Sequence, residues 1–471
     1  MTRRLLAGLA ALAVFASGCG AQGADDAADN NNPTETTAAP AVEGAGAADF
    51  GSLKDVCGPG DAKVAAADAG RGTDKLYVGV ANDRASTIRA GLLKELWDAG
   101  VAFTAWCNEQ GGISGLPIEA VDLDGKLLEV ETAMATACKD TFAMVGGGYA
   151  QDNFLFSGKD GSDFHKCKMI AIPGFAVSTD FAEANGQVQP IPNPAYRKAG
   201  AWLADLAKLY PDKVKNFALV YGALPSIEQN KDQILAVAKQ VGGYDNITQI
   251  SYDAIGNQDW GLVAQQIEDS GAGAVSYVGE PGNMSKLAQA LNDQGYDGLL
   301  FADAVAYDQL VIESSGEAAA EGIIARIASH PLEEADRWPA TKRMIDVFEQ
   351  YGPADGKLAS LTTQAFSAWL LFAQSAKTCA EKGEITRTCV IQAAASVKEW
   401  DGGGLHAVGN PGDNEPPPCS MFVQVRGGKF ERLFPELDSA DDEGEGFSCT
   451  GGVLDVTGEF GAGNVDPSRP S

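Results

Sequence analysis

The chain has 471 residues, which is too long for one ordinary hydrophobic core and is typical of two lobes with a tail. Its formal net charge is −29, with 64 acidic against 35 basic residues. This balance argues against nucleic acid as a partner, because phosphate binding depends on Lys and Arg, and against electrostatic docking on anionic lipid.

The amino terminus has the pattern of an export signal. Arg3 and Arg4 precede an apolar run over residues 5–15, which is too short to span a bilayer. The sequence Ala16-Ser17-Gly18-Cys19 follows and resembles the bacterial lipobox, in which cleavage before the cysteine precedes its acylation. We therefore predict a signal peptide over residues 1–18 and a lipid on Cys19. The alternative is ordinary secretory cleavage, and the export route (Sec or twin-arginine) stays open.

An acidic, low-complexity segment follows Cys19. Residues 20–50 contain six acidic residues and no Lys or Arg, and the rest are largely Ala, Gly, Asn, Thr and Pro. Such a composition buries too little apolar surface to offset the entropy of ordering. We predict a flexible tether over residues 19–73 that spaces the protein from the membrane, or a disordered segment without that role. No later stretch has the length of a membrane helix, so the lipid would be the only membrane attachment.

The cysteine count supports an oxidising location. Nine cysteines are present, and eight are left if Cys19 carries lipid, which allows up to four disulfides. Many connectivities are possible. The favoured pairing is Cys379 with Cys389 across a short loop, Cys419 with Cys449 to fasten the acidic carboxy-terminal segment, and Cys107 with Cys138 between two helices, which would leave Cys57 with Cys167.

From residue 76 onward, apolar periodicity predicts alternating strands and helices. Predicted strands lie at 76–80, 117–123, 142–145, 168–172, 217–221, 247–252, 274–278 and 299–302. Predicted helices lie at 88–106, 128–140, 196–210, 227–241, 260–270, 284–294 and 361–378, and a hairpin covers 421–434. This alternation predicts an α/β fold with two Rossmann-like lobes built on parallel central sheets. The proline-rich segment 187–194 is the natural first crossover, and ligands of such sheets bind beyond the carboxyl ends of the strands.

Several short motifs in this order resemble type I periplasmic binding proteins, with the leucine/isoleucine/valine-binding branch closest in style. They are Leu76-Tyr77-Val78-Gly79-Val80, Asn108 to Gly115, Val145-Gly146-Gly147-Gly148, Ile170 to Gly174, Tyr221-Gly222, Tyr252-Asp253 and Gln258-Asp259-Trp260. The likeness covers roughly residues 76–432. It implies a three-crossover hinge, with lobe 1 at 74–190 plus 304–405, lobe 2 at 191–303 plus 406–449, and a carboxy-terminal tail at 450–471.

The resemblance also implies a ligand site on the loops at strand ends. Transferred position by position, the site residues are Gly148, Tyr149, Ala150, Gln151, Phe175, Ser178, Thr179, Tyr221, Glu280 and Asp303. Amino-acid binders of the family place hydroxyls where this chain has Ala150, Gln151 and Phe175. The resemblance therefore implies an amino acid or another small polar, amide-like solute. The alternatives are core packing for Tyr149 and Tyr221, and helix capping for Ser178, Thr179 and Glu280.

No catalytic or metal-binding motif is evident, and the three histidines (His165, His330, His406) are far apart in sequence. We therefore expect no enzyme activity, no cofactor and no metal. The resemblance implies a monomeric solute-binding lipoprotein on the outer face of the cell membrane that serves an ABC permease. A ligand sensor of the same fold and an exported enzyme are the alternatives.

Overall fold

A computed structural model describes residues 46–153, 155–156 and 161–461 of the chain. The predicted signal peptide, the predicted lipidation site Cys19 and the rest of the predicted tether up to residue 45 lie outside the described residues.

The first part of the chain builds lobe 1 around a four-stranded parallel sheet of order β3-β2-β4-β5. Its elements are β1 (Lys63–Val64), β2 (Leu76–Asn82), α1 (Lys94–Glu109), β3 (Ile118–Asp124), α2 (Val130–Asp140), β4 (Ala143–Val145), α3 (Asp163–Lys166), β5 (Ala171–Ile172) and α4 (Thr179–Ala182). All seven residues of β2 are buried, as expected of a central parallel strand that is covered on both faces.

The chain then crosses into lobe 2. The elements of this stretch are β6 (Arg197–Ala199), α5 (Ala201–Leu209), β7 (Asn216–Gly222), α6 (Pro225–Val241), β8 (Asn246–Tyr252), α7 (Trp260–Asp269), β9 (Ala274–Val278), α8 (Pro281–Gln294), β10 (Leu299–Ala302), α9 (Gln309–Ser315), α10 (Glu317–Ala320) and β11 (Ile324–Ile327). Strands β7 to β11 all run parallel to one another, as the strand–helix alternation predicts.

The remaining chain returns to lobe 1 and then to lobe 2. Lobe 1 gains α11 (Pro339–Tyr351), α12 (Ser360–Lys382), β12 (Glu384–Ile385) and α13 (Arg387–Ala395), and lobe 2 gains β13 (Met421–Arg426), β14 (Lys429–Phe434) and β15 (Val453–Asp455). The hairpin of β13 and β14 joins β11 antiparallel and completes a seven-stranded sheet of order β14-β13-β11-β10-β9-β7-β8. The predicted hairpin and the predicted two-lobed α/β fold are confirmed.

The predicted lobe boundaries need one correction at the second crossover. Residues 304–327 belong to lobe 2, because β11 lies between β10 and β13 in the lobe 2 sheet. The second crossover therefore follows β11 and runs beside the third one. His330 N donates to Leu405 O at 3.0 Å, and Ala407 N donates to Ala328 O at 2.8 Å. Hydrogen bonds thus link the second and third of the three crossover segments that form the hinge.

The predicted tether and tail are both too long. Phe50 is fully buried and packs edge-on against Trp106 of α1, and β1 pairs with β12 in lobe 1. At the other end, β15 pairs with β6, and Phe460 is buried in lobe 2. Low-complexity sequence therefore gives way to packed structure earlier than composition indicates, because a few aromatic and cysteine residues supply the contacts.

Four disulfides are present, and two of the four predicted pairs are confirmed. Cys379–Cys389 and Cys419–Cys449 form as predicted. The predictions Cys107–Cys138 and Cys57–Cys167 are wrong. Instead, Cys57 pairs with Cys107, and Cys138 pairs with Cys167. The error has the same cause as the overlong tether: Cys57 belongs to a segment that packs on α1, so it lies next to Cys107.

Two predicted helices begin too early. The helix predicted from residue 88 begins at Lys94, after a loop in which Gly91 and Leu93 both have left-handed backbone angles. The helix predicted from residue 196 begins at Ala201, because residues 197–199 form β6. Within the described part of the chain, no helix combines the length and the apolar character needed to cross a membrane.

Candidate functional site

A cavity of about 750 Å³ lies between the two lobes at the carboxyl ends of the central strands. Lobe 1 contributes the loop after β2 (residues 88–93), together with Ala150 and Phe175 from the loops that follow β4 and β5. Lobe 2 contributes the strand ends of β8 and β9 and the start of α8. This position is the one expected for ligands of open parallel sheets, and the volume falls within the range of small-molecule sites.

Polar contacts join the lobes at the mouth of the cavity. Arg89 of lobe 1 donates through Nη2 to Ala254 O of lobe 2 at 2.8 Å, and its Nε lies 3.4 Å from Glu280 Oε1. Ser226 Oγ donates to Ala150 O at 3.3 Å. Together these contacts join the two lobes across the cavity.

A second cross-lobe contact is an ion pair on another wall of the cavity. Lys357, which precedes α12 in lobe 1, places Nζ 2.5 Å from Asp308 Oδ2 of lobe 2 and 3.5 Å from Glu95 Oε2 of α1. The two carboxylates raise the pKa of Lys357 against the opposing effect of burial, so the lysine stays charged. Both acids are almost fully buried, and Lys357 supplies the positive charge that such burial requires.

The cavity also extends inside lobe 2, between the sheet and helices α5 and α6. Apolar side chains from both helices and from β10 line this extension, which we call the inner branch. They are Trp202, Leu224, Ile227, Ile234, Val237 and Phe301. The rings of Trp202 and Phe301 stack with their centroids 5.1 Å apart, which joins helix α5 to the sheet on this side.

Charged side chains of lobe 2 also line the cavity. Lys198 of β6 donates through Nζ to Asn193 Oδ1 at 2.7 Å, and burial lowers its pKa to about 7. Arg326 of β11 lies 3.1 Å from Asp303 Oδ1, and the buried Nε of Arg326 has no hydrogen-bond partner. In the described part of the chain, no carboxylate oxygen lies within 4.0 Å of the Lys198 ammonium.

Two tyrosines close the carboxyl ends of β8 and β9. Tyr252 and Tyr277 line the cavity, and their hydroxyls are hydrogen-bonded to each other at 2.6 Å. Tyr277 also donates to Glu280 O at 3.0 Å. Burial raises the pKa of both phenols, so both remain neutral hydrogen-bonding groups at physiological pH.

The structure places four of the ten predicted site residues on the cavity. They are Ala150, Phe175, Glu280 and Asp303. Glu280 has the capping role weighed for it, because its carboxylate accepts from Gly282 N at 2.6 Å at the start of α8. It also faces Arg89 across the cavity. Asp303 is already engaged by Arg326 and by its neighbour's backbone N–H.

The other six predicted residues lie outside the cavity lining. Tyr149 is fully buried in lobe 1 and donates to Leu123 O at 2.6 Å. Ser178 caps α4 by accepting from Phe181 N, and Thr179 is buried beside it. Tyr221 lies beneath the Lys231 ammonium, 5.1 Å from its ring centroid.

Gly148 and Gln151 are the remaining two of these six residues. A side chain at Gly148 would collide with the backbone of Phe175, so glycine lets the two loops approach. Gln151 donates to Leu127 O at 3.4 Å within lobe 1.

Sequence reasoning missed Arg89, Lys198 and the inner branch. Arg89 lies in residues predicted to be helix but found to be loop, and Lys198 lies in β6, which was also predicted to be helix. The one signal available for Lys198 was its position directly after the proline-rich crossover, at the start of lobe 2. Among the residues that the structure describes, no group of three metal-ligating side chains is present.

The geometry agrees with comparisons to known proteins. A family model described as periplasmic binding protein matches residues 164–429, which is more than half of the chain. The chain therefore belongs to the periplasmic binding protein family, and its two-lobed α/β structure is the type I form of that fold. No curated protein sequence matches the chain.

Solved structures with the same fold include three binding proteins from bacteria. A fatty acid ABC transporter substrate-binding protein from Thermomonospora curvata has a TM-score of 0.65 and 17% identity, covering 80% of this chain and 93% of its own. A branched-chain amino acid ABC transporter protein from Thermus thermophilus with bound valine has a TM-score of 0.64 and 14% identity, covering 79% and 98%. A leucine-binding protein from Thermotoga maritima has a TM-score of 0.61 and 16% identity, covering 76% and 97%.

Proposed function

We propose that this protein captures an organic solute between its lobes outside the cytoplasm and delivers it to an ABC permease in the membrane. The observation that carries the proposal is the cavity at the hinge, which is lined by both lobes and closed by contacts between them. A solute that touches both lobes stabilises the closed form, and the permease recognises that form.

Family membership supports this proposal. The chain belongs to the periplasmic binding proteins, and two of the three solved structures cited above are described as belonging to ABC transporters. Those neighbours are described with ligands as different as fatty acids and valine, so the fold serves both kinds of solute. The amino acid or amide-like solute expected from the sequence is therefore one class of solute to be tested, beside organic acids and sugars.

We further propose that the protein is attached to the outer face of the cell membrane by a lipid on Cys19. The supporting observation is the lipobox-like sequence that ends in Cys19 after a short apolar run. Metabolic labelling with an alkyne-bearing fatty acid tests the assignment. The parent chain should incorporate the label, and Cys19→Ala should not. Equal labelling of the variant would refute lipid attachment at this cysteine.

Solute capture is tested on the mature chain carrying Cys19→Ser, with its disulfides intact. Thermal denaturation is recorded with amino acids, amides, organic acids and sugars. A solute present at about a thousand times its Kd should add about 4 kcal/mol of stability. X-ray scattering with and without each hit should show a smaller radius of gyration when the solute is bound. A solute that raises the melting temperature but leaves the scattering profile unchanged would contradict capture by closure.

A transport role makes a further prediction in cells. Deleting the gene should abolish uptake of the radiolabelled hit, and the parent gene should restore it. Restoration should fail with a variant that binds no solute. Unchanged uptake in the deletion strain, combined with altered gene expression, would favour the sensor alternative.

A further inference from the structure

The inner branch gives the site a shape that an amino acid alone does not fill. It runs from the cleft into lobe 2 beneath α5 and α6, and six apolar side chains line it. The whole cavity of about 750 Å³ is in the range of sites for drug-sized ligands. A ligand with a long or bulky apolar body would gain free energy from burying that body here.

Polar groups along the same wall are cationic in balance. Lys198 and Arg326 line the cavity together with Asp303, whose carboxylate Arg326 already engages. The other two carboxylates of the described lining, Glu95 and Glu280, face Lys357 and Arg89, respectively. Asp303 and, more weakly, Glu183 act on Lys198 at longer range. The oxygens of Glu183 accept from Ala195 N at 2.8 Å and Asn414 Nδ2 at 3.3 Å, and Asp303 pairs with Arg326. Among the described residues, Lys198 therefore has no carboxylate in direct contact with its ammonium.

An ammonium that is buried without a counter-ion is costly, and an anionic ligand would remove that cost. A ligand ammonium would need a carboxylate, and the predicted one is Glu280. Glu280 caps α8 and faces Arg89, so both its oxygens have partners. Within the described residues, the site thus offers a cation that no carboxylate contacts directly, whereas its carboxylates all have cationic partners. A zwitterion would need a free carboxylate for its ammonium end.

We propose that the solute is an amphipathic organic carboxylate, with its carboxylate beside Lys198 and Arg326 and its apolar body in the inner branch. This inference rests on the proposed function and specifies its substrate class. The carboxylate would form charge-assisted hydrogen bonds with the two cations. The stacked rings of Trp202 and Phe301, which both line the cavity, would contact the apolar body.

The test compares straight-chain carboxylic acids with primary amides and alcohols of the same length. Affinity is measured by calorimetry and by the fluorescence of the mature chain, since Trp202 lines the branch. Acids should bind more tightly than matched amides by about 10- to 100-fold. Affinity for acids should also rise about fourfold per methylene until the branch is filled.

Two matched variants separate the charge at Lys198 from charge in general. Lys198→Met keeps the aliphatic stem and removes the ammonium, so it should lose the preference for acids over amides. Lys239→Met removes an exposed lysine of α6 that is not part of the cavity lining and should leave that preference unchanged. Melting temperatures of both variants establish that they fold.

The outcomes distinguish this inference from the function on which it rests. If amino acids close the lobes while Lys198→Met changes no affinity, the capture function stands and the carboxylate assignment is overturned. Amides that bind as tightly as acids would overturn it as well. If no member of any panel binds or closes the lobes, both the inference and the proposed function fall.

Discussion

Replacing Lys198 should stabilise the ligand-free protein, and the gain should depend on pH. Burial lowers the pKa of Lys198 from 10.5 to about 7. Below pH 7 the lysine is charged in both the folded and unfolded states, so the folded state bears the full cost of burying the charge. Between pH 7 and 10.5 the folded protein has released a proton that the unfolded chain still holds, so the free energy of unfolding rises with pH.

The difference between 10.5 and about 7 corresponds to an upper limit of roughly 5 kcal/mol. Water that enters the cavity solvates the ammonium and reduces this cost, so we expect about 1–3 kcal/mol. Lys198→Met removes the cost and keeps most of the buried stem. The variant should therefore be more stable than the parent at pH 6, and its advantage should shrink steadily toward pH 10.

The assay is urea denaturation of ligand-free protein at several pH values from 6 to 10. Lys286→Met serves as the control because Lys286 is exposed. It should differ little from the parent at any pH. The reasoning is refuted if Lys198→Met is less stable than the parent at pH 6, or if the difference between them does not change with pH.

Three further predictions concern closure, covalent cross-linking and acid stability. Arg89→Gln removes the contacts to lobe 2 and should speed solute release about tenfold in stopped-flow experiments, whereas Arg84→Gln, whose carboxylate partners lie in lobe 1, should not. Replacing Cys57 and Cys107 by Ser opens a link spanning 50 residues and should cost about 4 kcal/mol of unfolding free energy; a loss below about 1 kcal/mol would contradict this estimate. Burial lowers the pKa of His406 from 6.5 to about 4, so between these pH values the unfolded chain binds a proton that the folded protein does not. The free energy of unfolding should therefore fall by up to roughly 3 kcal/mol as pH falls from 6.5 to 4. An equally steep fall in His406→Gln would assign the loss to other groups.

The strand–helix alternation was sufficient to predict most of the framework. Buried parallel strands such as β2 and β9 are continuous apolar runs, and each is followed by a helix with one apolar face. These strands and helices depend on local periodicity, which the sequence displays directly. The position of the third crossover, between residues 405 and 406, is an expectation from the family resemblance; in the structure, Leu405 packs in lobe 1 and Ala407 packs in lobe 2.

The parts of the cavity that were missed depend on contacts between distant segments. Lys198 lies on β6 because that strand pairs with β15, more than two hundred residues later. The apolar spacing before α1 continues back to Ile88, yet the backbone turns out of the helix at Leu93 and presents Arg89 to lobe 2. Periodicity cannot distinguish such a loop from another helical turn, because the contacts that stabilise it come from the other lobe.

The packing of residues 46–57 on lobe 1 determines where tension from a membrane attachment would act. Phe50 is stacked among aromatic rings of α1 and α12, and the Cys57–Cys107 bond fixes this segment to α1. With a lipid on Cys19, as proposed, a pull from the membrane would reach lobe 1 through these contacts and would bypass the hinge. Lobe 2 would then move relative to lobe 1 without bearing that force, so motion of the membrane anchor would not oppose closure of the lobes.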